Sequence, residues 1–159
     1  MQHMDPHLPD AAFCKFLDDF VRSTQNVAPA GSNLDGYLPT LGLLEADAIT
    51  IAIIGPETDR MIESHDMLLQ MTRDFGAQRF KNSGRWPQAV GASYRDDSGI
   101  TIWACTSDGR AALAMLDYNG GAIRVKTHNF GLASRGSQGI ARNPAAWFFA
   151  SGPLASFLP

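Results

Sequence analysis

Cysteine is scarce in this chain, with Cys14 and Cys105 the two thiols among 159 residues. Two thiols cannot supply the disulfide framework on which small extracellular domains rely, and each falls within a periodic segment. A reducing compartment, the cytoplasm, is therefore the expected setting. Long apolar runs are missing as well. No stretch approaches the ~20 residues of a membrane span, and the first ten residues lack the basic start and apolar run of a secretory signal, which argues against a membrane partner. Charge is sparse: charged residues make up 18% of the chain and the formal net charge is −3. Such a weak field does not steer a protein toward a polyanion, so no nucleic-acid partner is expected.

What is present is apolar. Hydrophobic residues account for 45% of the sequence, enough for a chain of this length to bury a core without staples. One α+β domain over 1–159 is expected, with 1–9 flexible and with loops at 26–39 and 131–142. Over 10–24, Phe13, Phe16, Leu17, Phe20, Val21 and Thr24 recur at steps of three and four, opposite Lys15, Asp18, Asp19 and Arg22; this is a helix with one buried face. Residues 49–54 are rich in isoleucine and bounded by Asp47 and Gly55, which reads as a buried strand, although a helix over 43–54 remains an alternative. Pro56, Glu57 and Asp59 fit a helix start and Gly76 a helix end. On that helix Met61, Ile62, His65, Leu68, Leu69, Thr72 and Phe75 share one face, and Asp59, Glu63, Asp66, Gln70 and Asp74 the other.

Four strand-like segments follow, at 89–94, 100–106, 110–118 and 122–128, separated by Asp97-Ser98-Gly99, Asp108-Gly109 and Asn119-Gly120. The last two fit two-residue hairpin turns. The fold expected is an antiparallel meander of four strands, or of five, packed against two helices. Asn143 and Pro144 then open a short aromatic helix through Phe149 that Gly152-Pro153 stops. A two-residue turn at Asp108-Gly109 would put Cys105, Trp103 and Thr101 opposite Ala112, Ala114 and Leu116, leaving Ile100, Ile102, Ala104, Leu113 and Met115 on the other face. Both faces are then apolar and both need cover. The two long helices are expected on one, and on the Trp103 face the C-terminal aromatic segment, a ligand or another chain.

Catalytic and metal-binding patterns are not evident. His3, His7, His65 and His128 lack the paired spacing of a zinc site, so no metal and no cofactor are expected. Cys105 lies mid-strand with no base beside it in sequence and reads as a buried structural thiol; Cys14, at the edge of a helical face, reads the same way. His65 on an apolar face reads as a core histidine, and the acidic stripe of Asp59, Glu63, Asp66 and Asp74 as a solvated face, with docking of a basic partner as its functional alternative. Ser134, Arg135, Ser137 and Arg142 lie in a glycine-containing stretch before a helix start. They form a candidate anion-binding loop, but match neither a Walker loop nor a dinucleotide fingerprint.

Two functions from different classes fit these features. In the first, the chain is a small non-enzymatic interaction protein (inhibitor, immunity-type protein, adaptor or regulator) that binds a protein partner or itself. Trp147, Phe148 and Phe149 are its candidate interface, since three consecutive rings point about 100° apart on a helix and at least one should be exposed or contact something beyond the helix's own support. In the second, an apolar cavity between sheet and helices binds a small molecule or serves a minor enzyme, lined by Tyr94, Trp103, Cys105 and His128.

Overall fold

The computed structural model describes residues 8–27, 39–46, 48–53, 65–96, 99–119, 122–132, 141–156 and 158. The elements run α1 (Asp10–Val27), β1 (Thr40–Glu45), β2 (Ala48–Ile53), α2 (His65–Ser83), β3 (Ala89–Asp96), β4 (Gly99–Thr106), β5 (Arg110–Asn119), β6 (Ala122–Leu132) and α3 (Pro144–Trp147). The class is α+β. All six strands form one antiparallel sheet in the order β2-β1-β3-β4-β5-β6. β3 to β6 are the meander read from the turn residues, and a β1–β2 hairpin extends it beyond β3. Thr40–Glu45 is a strand that the sequence reading left out: its Leu-Gly-Leu-Leu core has no period long enough to choose between helix and strand. β6 continues to Leu132, so Gly131 and Leu132 belong to the sheet rather than to the loop expected there. Among the described residues, no helix is long and apolar enough to cross a membrane.

α1 buries the face that its period predicts. Phe13, Phe16, Leu17, Phe20, Val21 and Thr24 are all buried, while Lys15 reaches Asp19 one turn on across the outer surface. Among the described residues, this is the one long helix on its side of the sheet, packing on Leu44, Ala89, Ile100, Ile102, Ala104, Ala112, Ala114 and Leu116. The second face carries Leu41, Leu43, Val90, Ala92 and Cys105, and is covered by α2 together with residues 145–158. The expectation that both long helices share one face is therefore corrected. The sheet is the middle of three layers, with α2 and the C-terminal segment together on the Trp103 side.

The β4–β5 register is also corrected. Cys105 pairs with Ala111, Trp103 with Leu113 and Thr101 with Met115, one residue away from the pairing expected of a two-residue turn. Residues 107–109 form a three-residue connection in which Gly109 takes φ +95°, a left-handed position that glycine adopts without strain. Because side chains alternate, the one-residue difference moves Ala112, Ala114 and Leu116 to the α1 face, beside Ile100, Ile102 and Ala104.

Gly76 does not end α2. The helix runs through it to Ser83, and Gly84 at φ +76° follows, the left-handed residue that commonly closes a helix. The expected start at Pro56, with Asp59, Met61, Ile62 and Glu63, lies outside the described residues. Of the two faces expected farther along, Leu68, Leu69 and Thr72 are buried and Phe75 half-buried, whereas Asp66, Gln70 and Asp74 are exposed.

Candidate functional site

The two sheet faces and the two sheet edges offer different chemistry. On the α2 face, alternation in β3 and β4 brings Tyr94 beside Thr101 and Ala92 beside Trp103, and the first turn of α2 lays His65 over both aromatic residues. The His65 ring centroid is 5.8 Å from that of Tyr94 and 5.9 Å from that of Trp103. His65 Nδ1 is 3.3 Å from the Tyr94 hydroxyl, and Nε2 is 2.5 Å from the carbonyl oxygen of Arg142. A neutral imidazole protonated at Nε2 satisfies both contacts, donating to the carbonyl and accepting from the hydroxyl. His65 is thus a bridge between α2, β3 and the segment leading into α3. The indole Nε1 of Trp103 is buried and has no hydrogen-bond acceptor among the described residues.

Cys105 continues the same row of β4. It is buried, and its thiol donates to the Thr106 carbonyl at 3.3 Å. Burial pushes its pKa far above the ordinary thiol range, and the charge of Asp108 adds to the shift; such a thiol is a poor nucleophile. Tyr94, Trp103 and Cys105 therefore share one face. His128, grouped with them from the sequence, pairs through its backbone with Ala114 of β5, and its side chain lies outside the described residues. Ser134, Arg135 and Ser137 lie outside them as well. Arg142 is exposed, with one guanidinium nitrogen 3.5 Å from the Asp66 carboxylate. Among the described residues, no group of three or more His, Cys, Asp or Glu side chains is placed to hold a metal ion.

No ring of the aromatic triplet points outward, and the rings instead meet residues beyond their own helix. Phe148 and Phe149 are fully buried and Trp147 is 7% exposed. Three directions can all be filled because α3 is enclosed on every side. Phe148 meets Phe75 and Trp86, Phe149 meets Trp86, and Trp147 donates from its indole to the Ala141 carbonyl at 2.9 Å with the Arg73 guanidinium 5.9 Å from its ring. Asn143 anchors this segment. Its side-chain oxygen caps α3 by accepting from the Ala145 and Ala146 amides, and its amide donates to the Ala104 carbonyl in the middle of the sheet at 3.1 Å.

At the α1 entrance, Arg110 is nearly buried and joins two elements. One guanidinium nitrogen contacts Asp10 at the start of α1 at 2.5 Å, Nε contacts Asp108 at 3.2 Å, and the group lies over the Phe13 ring. Burial works against the charge, but the two carboxylates more than offset it, so the Arg110 pKa is raised and the group stays cationic.

Among the described residues, the large apolar side chains left exposed are Met67 and Phe80 on α2 and Ile51 on β2. This strand pairs with β1 on one side and with nothing among the described residues on the other. Ala48, Thr50 and Ile51 are exposed and Ile49 and Ala52 half-buried, so the segment read as a buried strand is an edge strand. Ile49 packs at the margin of the α1 cluster, but Ile51 is 45% exposed, and its cross-strand neighbour is Gly42, which has no side chain to cover it. The edge was legible in part, as an uncharged isoleucine-rich run. Which strand of the sheet it would become was not. Compared with known proteins, the chain matches no protein-family model, no curated protein and no solved structure.

Proposed function

We propose that this chain is a non-enzymatic interaction protein of the cytoplasm, and that it binds by adding a strand to the outer edge of β2. The observation that carries this reading is the composition of that edge, Ala-Ile-Thr-Ile-Ala-Ile, without a charge or proline and without a register shift against β1. Sheet proteins ordinarily guard an edge with lysine, proline, a bulge or a covering loop, because unpaired N–H and C=O groups beside apolar side chains recruit further strands. An edge with no such guard among the described residues suits strand addition, in which main-chain hydrogen bonds give affinity and alternate side chains give selectivity. Two groups with catalytic potential are occupied: both nitrogens of His65 are engaged, and Cys105 is buried, with its thiol pKa raised by that burial. Cys14 and Cys105 are unpaired thiols, in keeping with a reducing compartment.

The test is Ile51→Lys, a charge placed on an already exposed position, compared with the parent chain as bait under matched conditions. Loss of a specific partner, with an unchanged circular dichroism spectrum and melting temperature, supports the reading. Identical binding by both chains overturns it.

A second reading, binding of a small molecule, is favoured by Trp103. Its buried, unpaired indole N–H beside His65 and Tyr94 suits a ligand that offers an acceptor oxygen, since leaving a buried donor unsatisfied costs ~1–3 kcal/mol. Melting-temperature screening with small carboxylates and amides tests it. A compound that stabilises the parent chain but not Trp103→Phe supports it, and none doing so overturns it.

A further inference from the structure

We infer that the strand added to β2 is β2 of a second copy of this chain, in an antiparallel pair whose two-fold axis passes through Thr50. The inference rests on the edge-binding reading and names its partner. Three features of the edge converge on it. Two copies of an uncharged strand meet without leaving any charge desolvated or unpaired, whereas a charged partner segment would find no counter-charge within β2. Alternation places Ile49 and Ile51 on the α1 face, because they lie opposite Leu44 and Gly42 of β1. With the axis at Thr50, Ile51 stands directly opposite Ile49 of the partner subunit, and Ile49 opposite Ile51 of the partner subunit. Ile51 then gains the cross-strand neighbour that Gly42 cannot supply, and Ile49, already flanked by Leu44, gains a second one. On the other face the two threonines meet, a pairing that supports side-chain hydrogen bonding, and Ala48 and Ala52 bring only small side chains together. The product is one continuous antiparallel sheet of twice the strand number, with the layers of both copies in line.

Light scattering during size-exclusion chromatography over a concentration series, on the parent chain, Ile51→Lys and Thr50→Cys, tests this. A parent dimer whose dissociation constant rises at least ~10-fold in Ile51→Lys is expected, since a lysine ammonium would be set against isoleucine in the centre of the contact. Oxidised Thr50→Cys should run as a covalent dimer that reduction releases, because directly opposed residues of an antiparallel pair bring their Cα atoms within ~4.5–5.5 Å. A parent chain that stays monomeric at its solubility limit, yet loses a foreign partner on Ile51→Lys, overturns self-pairing and leaves the edge-binding reading intact. A dimer indifferent to Ile51→Lys overturns both. A dimer that Ile51→Lys breaks but Thr50→Cys never cross-links overturns the axis at Thr50.

Discussion

The carbonyl oxygen of Phe148 lies where a side chain on Gly76 would begin: a Cβ built on Gly76 would stand 2.1 Å from that oxygen and 2.8 Å from its carbon. The contact joins mid-helix α2 to the C-terminal segment, and backbone on both sides leaves little room to yield. Glycine inside a helix ordinarily costs ~1 kcal/mol relative to alanine. Here the sign should reverse, with Gly76→Ala destabilising the fold by about 1–3 kcal/mol through overpacking. Urea unfolding gives the value. A stabilised Gly76→Ala variant would show that α2 and Phe148 are not in this contact.

Asn143 should be the most sensitive polar side chain of the C-terminal segment. Its replacement by alanine removes the α3 cap, worth about 1 kcal/mol, and leaves the Ala104 carbonyl without its side-chain donor, worth about 1 kcal/mol more. A combined loss near 2 kcal/mol is expected. Asn143→Asp keeps the cap but cannot donate when ionised, so its deficit should shrink as pH falls and the carboxyl regains a proton. A pH-independent deficit would count against the Ala104 contact.

Cys105 supplies the alkaline limb of stability. Burial, and then the Asp108 charge, raise the thiol pKa in the folded state, so the folded chain holds this proton more tightly than the unfolded one. The stabilisation is complete below the ordinary thiol value of ~8.5 and is lost as pH rises above it, by up to ~1.4 kcal/mol per pH unit. Denaturant titrations between neutral and alkaline pH should show Cys105→Ala losing less stability over that window than the parent chain does. In the native protein near neutral pH a thiol reagent should label Cys14, which is partly exposed, and reach Cys105 only on unfolding.

Much of this was legible where a local period carried the information. The face of α1 was readable because Phe13 to Thr24 keep one helical spacing over about three turns, and the cap at Asn143 because Asn followed by Pro fits the N-cap and first position of a helix. What was misread depends on contacts distant in sequence. Gly76 resembles a helix end until the Phe148 backbone comes to lie against it. The three consecutive rings at Trp147 suggest an exposed aromatic until α2 closes over them. The β4–β5 register turned on whether Asp108-Gly109 is a turn of two residues or the end of a turn of three, and one residue exchanges the faces. The His65–Tyr94–Trp103 cluster spans three elements that no motif links.

The paired glycines Gly42 and Gly91 form a bare strip on the α1 face onto which the Phe20 ring settles. They are direct cross-strand partners, and a Cβ on either would meet that ring, at 2.8 Å from Gly42 and 2.6 Å from Gly91. Interior strand glycines weaken a sheet unless something approaches closely, and here a fully buried aromatic ring does. Gly91→Ala should therefore destabilise the protein by about 1–3 kcal/mol, as overpacking does in a filled core. Phe20→Leu should destabilise it by about the same amount, through the volume it leaves empty. Combined, the two changes relieve one another, because the alanine methyl occupies part of the space the ring has vacated. The double variant should then be more stable than the sum of the single losses by roughly 0.5–3 kcal/mol, the range of coupling between residues in contact. Strict additivity in a double-mutant cycle by urea unfolding would mean that Phe20 does not rest on these glycines.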